Sequence, residues 1–178
     1  MIGVSTGGSY SLATAARFPE RVLGVLVCCG MSDMRWASEY ATMAGVERYV
    51  SLSREEAYEL AVEDMGEDGS KMLSNDDATG ESSLSPADLL YLQDPENIKR
   101  FISDDATFAQ GVTGYADDRL ADCSAQGWSS FEVNNVSCPV NIIHGETDTI
   151  VPVAHAHHTA EIVKDSEIKI YPEHGHLS

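Results

Sequence analysis

Ser5 stands at the centre of Gly3-Val4-Ser5-Thr6-Gly7, a G-x-S-x-G pattern. A serine hydroxyl becomes a useful nucleophile only when a base takes its proton and a further group orients that base. Candidates for both roles lie far downstream. Asp148 closes the turn Gly145-Glu146-Thr147-Asp148, and His176 lies in His174-Gly175-His176. Together they would support acyl transfer, with Ser5 attacking a carbonyl, His176 moving the proton and Asp148 holding the imidazole. The amide of Thr6, at the start of a helix, would face the developing oxyanion. Alternatives stay open at this level: His174 could be the base, and Glu146, Asp117 or Asp118 the acid.

Other chemistry-bearing residues point less clearly to a site. His155, His157 and His158 form an H-x-H-H cluster. His155 and His158 would share a helix face, but no Asp, Glu or Cys completes a ligand set, so the expectation is an exposed helix face and no metal. Trp36, Tyr40 and Met43 could line a pocket or simply pack a helix. Ser9 and Ser11 are expected to pack in the helix after the turn. Cys28, Cys29, Cys123 and Cys138 include no C-x-x-C pair and read as buried free thiols in a reducing compartment.

The elements that must position these groups follow from pattern. A strand-like Met1–Val4 precedes Ser5, and an Ala-rich helix over 9–17 ends before Pro19. Val22–Cys29 is a near-continuous apolar run bounded by Gly30, which predicts a strand buried on both faces of a parallel sheet. The flanking glycines of the serine turn are expected to let helix and strand pack closely. The middle reads as helical: 36–50, then a capping box at Ser53–Glu56 opening a helix to about Met65. A polar loop over 66–84 follows. Ser85-Pro86 and Asp94-Pro95 open helices over 87–92 and 96–108, and another covers 116–124. Sheet pattern returns at Val140–His144, followed by a helix over 153–163 and a strand at Ile168–Tyr171. Asp148 and His176 each fall just beyond a strand end, where ligands bind in open α/β sheets.

These segments resemble the α/β-hydrolase fold family, in its cap-bearing serine class. The likeness rests on "GVSTGGSYSLATAARFPERVLGVLVCCG", "CPVNIIHGETDTIVPVAHAHHTAEIV" and "IKIYPEHGHLS", with "DDRLADCSAQGWSSFEV" similar to a cap exit. The resemblance implies a partial α/β-hydrolase with a mostly parallel sheet: a core of residues 1–30 and 136–178, and a helical cap insertion of 31–135. It implies a nucleophile at Ser5, an acid at Asp148 and a base at His176, no cofactor, and a small-molecule acyl substrate. The Gly, two residues, Asp, two residues, Val-Pro pattern falls on Gly145, Asp148 and Val151-Pro152. The family also places strands before the serine turn, a second oxyanion donor among them, and a helix after the histidine. Residues 1–178 leave no room for these, so a half-built oxyanion hole and an unpaired apolar edge at Met1–Val4 are expected. A catalytically silent ligand-binding protein of this fold, or a fragment without function, is the competing expectation.

The net charge of −18, from 29 acidic and 11 basic residues, disfavours nucleic-acid partners, because phosphates would be repelled. An ordinary solvated acidic surface is the simplest account. No run of 18 apolar residues and no leader pattern occurs, which predicts no membrane association and a cytoplasmic location.

Overall fold

Four short strands lie side by side, all parallel where they pair: β1 (Ile2–Val4), β2 (Val25–Cys28), β3 (Val140–Gly145) and β4 (Ser166–Tyr171), in that spatial order. The computed structural model describes residues 1–33, 36, 46–49, 51–67, 84–97, 109–123 and 132–178. The register puts Val4 beside Cys28, Cys28 beside Ile143 and Ile143 beside Lys169. The carboxyl ends of the strands therefore share one rim. Parallel neighbours need crossovers. Helix α1 (Gly7–Arg17) carries the chain from β1 to β2, and α5 (Ala154–Ile162) from β3 to β4.

Between β2 and β3 the described residues hold helices and no strand: α2 (Arg54–Met65), α3 (Pro86–Tyr91) and α4 (Thr113–Cys123). Local chemistry explains their starts. Ser53 and Glu56 cap each other reciprocally, with the Glu56 amide donating to Ser53 Oγ at 3.3 Å and the Ser53 amide to Glu56 Oε2 at 2.8 Å. Ser85 accepts the Asp88 amide at 3.2 Å, and Pro86 fills the first helical position, where its missing N–H costs nothing. Arg54 binds Asp117 of α4 through two nitrogens at 2.6 and 2.8 Å, an exposed pair that adds little stability.

Among the described residues, two apolar clusters hold these elements. One joins Leu12 and Ala15 of α1 to Val25, Val27, Val140 and Ile142 of the sheet, with Ala156 of α5. The other joins Tyr49, Ala57, Ala61, Val112 and Ala116, away from the sheet.

Several expectations need correction. The second strand is shorter than Val22–Cys29: Leu23 is 92% exposed, and Cys29 has φ 45°, which ends the extended run. Nor is it buried on both faces, for Val25 and Val27 are buried while Leu26 and Cys28 are half-buried. Of the thiols, only Cys138 is buried outright, with Cys28 and Cys29 half-buried; the Cys123 side chain lies outside the described residues. Along β1, apolar Ile2 and Val4 are 71% and 58% exposed, and among the described residues this strand pairs only with β2. Over 36–50 the described residues are helical Trp36 and a 3-10 turn at Val46–Tyr49. Most of 66–84, the stretch 98–108 and Ser124 lie outside the description. No described helix is long and apolar enough to cross a membrane.

Candidate active site

The chain leaves β1 through a turn that few side chains tolerate. Ser5 has φ 54°, in the left-handed region that an L-residue occupies only when its surroundings impose it. The imposition is visible. The Ser5 amide donates to Cys28 O at 3.1 Å, and Ser5 O accepts the amides of Gly8 at 2.9 Å and Met31 at 3.1 Å. Backbone therefore clamps the residue from both sides and projects its hydroxyl over the rim. Close approach at this turn is set by Gly3, Gly8 and Gly30. A Cβ on Gly3 would strike the Gly7 carbonyl, and one on Gly8 would lie 2.8 Å from Gly30 Cα. Gly7 has nothing within 4 Å of such an atom, so only the first of the motif's two glycines is there for packing.

Thr6 caps α1, and its Oγ1 accepts from Arg119 Nη2 at 3.2 Å. Arg119 is buried and lies 5.2 Å over the Tyr115 ring. Helix α4 thus reaches the serine turn, and Tyr10 of α1 adds a bond from its hydroxyl to Asp118 at 3.3 Å. Ser9 and Ser11 are buried within α1, with the Ser9 hydroxyl donating to Thr6 O at 2.8 Å.

Three groups distant in sequence meet at the rim. His176 Nδ1 lies 2.8 Å from Asp148 Oδ2, and His176 Nε2 lies 3.0 Å from Ser5 Oγ. A carboxylate only accepts, so Nδ1 carries the proton and the Nε2 lone pair faces the Ser5 hydroxyl. Asp148 is itself held by the amides of Ile150 and Val151, both at 2.9 Å to Oδ1. His144, fully buried at the end of β3, places Nε2 2.8 Å from Val151 O and 3.2 Å from Asp148 Oδ2. Both neighbours are acceptors, which assigns the proton to Nε2. Burial alone would raise the Asp148 pKa, but donors from His144, His176 and the Val151 amide hold it well below the usual carboxylate range. The carboxylate is therefore ionised at neutral pH.

Cys29 sits beside this group, its amide donating to Ile143 O at 2.8 Å and its thiol 3.8 Å from Gly175 O. Ligand atoms of Cys29, Asp148 and His176 lie within 4.8 Å of one another. Burial, with Asp148 nearby, pushes the Cys29 thiol up to about 11. A neutral thiol is a poor metal ligand and a poor nucleophile. Iodoacetamide at neutral pH should accordingly leave Cys29 unmodified in the folded chain, and modify it after denaturation. Mass mapping that finds Cys29 alkylated as fast as in the unfolded chain would contradict this.

The side chains of the alternatives make other contacts or face solvent. His174 is exposed and packs its ring 5.4 Å from that of Tyr171. Glu146 is exposed, Asp117 pairs with Arg54, and Asp118 accepts from Tyr10. The exposed-face expectation for the histidine cluster holds for His157 alone. His155 is fully buried, its Nδ1 accepting the Ser32 amide at 3.1 Å, and His158 stacks at 4.1 Å on Trp36. Helix α5 turns that face inward, toward the segment after β2. Tyr40 and Met43 lie outside the described residues. Sequence reasoning passed over His144, Arg119 and Asp88. His144 carried a signal, a titratable side chain directly after the apolar pair Ile142-Ile143 in a strand; the other two stood in helices with no distinguishing pattern.

A family model for the alpha/beta hydrolase fold matches residues 1–178. A non-heme haloperoxidase of Rhodococcus erythropolis is 34% identical over 70 residues, covering 38% of this chain and 26% of that protein. Among solved structures, an alpha/beta hydrolase enzyme from a Medee basin deep-sea metagenome library is 20% identical with a TM-score of 0.58, covering 99% of this chain and 57% of its own. A thermophilic esterase from Thermogutta terrifontis is 19% identical with a TM-score of 0.53, again over 99% of this chain and 57% of that one. The chain spans a little over half the length of these two structures, and about a quarter of the curated relative.

Proposed function

Because the chain belongs to the alpha/beta hydrolase fold family, we propose that it is a serine hydrolase cleaving a carboxylic ester or related acyl bond, or the triad-bearing part of one. One observation carries this reading: the His176 ring bridges the Ser5 hydroxyl and the Asp148 carboxylate at 3.0 and 2.8 Å. In this reading residues 1–30 and 136–178 form the catalytic core, and 31–135 form a cap that governs access.

The chemistry follows from the proton positions. Ser5 Oγ attacks the carbonyl carbon as its proton passes to His176 Nε2. The resulting imidazolium is stabilised by Asp148, which stays ionised. Negative charge gathers on the former carbonyl oxygen, facing the Thr6 amide at the start of α1, where the helix dipole also favours it. Collapse breaks the bond to the leaving alkoxide, which takes the proton from Nε2 and departs as an alcohol, leaving acyl-Ser5. Water then gives its proton to Nε2 and its oxygen to the acyl carbon, and the acid leaves as Ser5 Oγ regains a proton. No cofactor takes part in these steps. A small or medium apolar ester is the favoured substrate, and neither nucleic acid nor membrane is a partner.

A fluorophosphonate probe tests the reading directly. The wild-type chain should be labelled on Ser5, and His176→Ala should lose the labelling. A folded chain that resists the probe would favour ligand binding without turnover, and a chain lacking cooperative unfolding would favour the fragment.

A further inference from the structure

Asp88 lies in the first turn of α3, nearly ninety residues from His176, yet it is fully buried against the chain's last residues. Its Oδ2 accepts the His176 amide at 2.9 Å, and its Oδ1 accepts the amides of Leu177 at 2.7 Å and Ser178 at 3.2 Å. Ser85 supports it, donating from Oγ to Asp88 Oδ2 at 2.8 Å while accepting the Asp88 amide. The opposing loop is shaped to receive this turn. A Cβ on Gly175 would strike both Ser85 Oγ and the Asp88 carboxylate.

We infer that Asp88 is a positioning residue, whose carboxylate seats the backbone of residues 176–178 and so sets the His176 ring between Ser5 and Asp148. The rate effect of this seat rests on the hydrolase reading above; the seat itself does not. Three consecutive amides converge on one buried carboxylate, and bonds to a charged acceptor are roughly twice as strong as neutral ones. Burial would by itself raise the Asp88 pKa, but the His176 and Leu177 amides and Ser85 bring it below its ordinary value, so the acceptor stays charged. No other described side chain accepts from the amides of residues 176–178. Without the carboxylate these amides would turn to water, which requires the loop to lift. Misplacement of a catalytic group by about 1 Å can cost on the order of a hundredfold in rate.

The test compares Asp88→Asn with wild type in two measurements on the full chain. Asparagine keeps the volume but offers one acceptor oxygen in place of two, and turns an NH2 toward a donor. In hydrogen exchange, the peptide covering 174–178 should exchange at least tenfold faster, with β3 protected as before. In saturation labelling by fluorophosphonate, the limiting rate should fall about 10- to 100-fold, with the half-saturating concentration and the final labelled fraction unchanged. A merely destabilised chain would instead lose labelled fraction. Unchanged exchange at 174–178 overturns the inference, as does faster exchange with an unchanged limiting rate. A wild-type chain that fails to label at all refutes the hydrolase reading, and exchange then still decides the seat. If Asp88→Asn does not unfold cooperatively, Ser85→Ala takes its place: smaller changes in the same direction support the seat, and none overturns it.

Discussion

On the proposed hydrolase reading, Asp148→Asn will lower kcat on a chromogenic ester about 10⁴-fold, the loss known for this change in serine-protease triads. The geometry shows why an isosteric change is so damaging. The amides of Ile150 and Val151 both point at Oδ1, which fixes the asparagine oxygen on that side. Its NH2 then occupies the Oδ2 position, where His176 Nδ1 and His144 Nε2 both arrive as donors. His176 can relieve the conflict only by moving its proton to Nε2, which turns an N–H rather than a lone pair toward Ser5. The base is lost while the fold survives. Stability carries a second signature. A carboxylate with a depressed native pKa contributes stability that is present above its unfolded value near pH 4 and is lost as pH falls through the native value. The melting-temperature gap between wild type and Asp148→Asn should therefore be full at neutral pH and narrow below about pH 4. A kcat within tenfold of wild type would remove Asp148 from the mechanism.

Gly3→Ala will destabilise the chain by about 3 kcal/mol, at the upper end of overpacking costs, while Gly7→Ala will leave stability within about 0.5 kcal/mol of wild type. The two glycines flank the same serine and look alike in the motif. The added methyl on Gly3 meets the Gly7 carbonyl and the Ser11 hydroxyl, and the backbone oxygen cannot rotate away. Relief requires α1 to move off β1, which drags the Ser5 turn with it. At Gly7 the added methyl meets nothing, and alanine suits a helix better than glycine. Urea unfolding of the two variants separates the positions, and equal stabilities would show that helix and strand are not as close as described.

The serine turn and the parallel strands were legible in the chain, because each is a local pattern. An apolar run bounded by glycine makes a strand. A capping box opens a helix, and Ser53–Glu56 did so where expected, with the helix ending at Met65. Where the reading erred, a single backbone angle or a neighbour decided otherwise. The left-handed Cys29 cut the second strand short, and Ser32 and Trp36 took up His155 and His158, turning that face of α5 inward.

Convergence belongs to the tertiary structure alone. By residue type alone Asp148, Glu146, Asp117 and Asp118 are equivalent carboxylates, and His174 and His176 equivalent imidazoles; distance and direction separate them. Hydrogen bonds act over about 3 Å and within a narrow angle, so which acid meets which base depends on the register of β3 against β4 and on the loops beyond them. The same holds for Asp88. Nothing near it in the chain foretells that its carboxylate receives the backbone beneath His176, because the partners meet only once α3 is laid against the rim of the sheet.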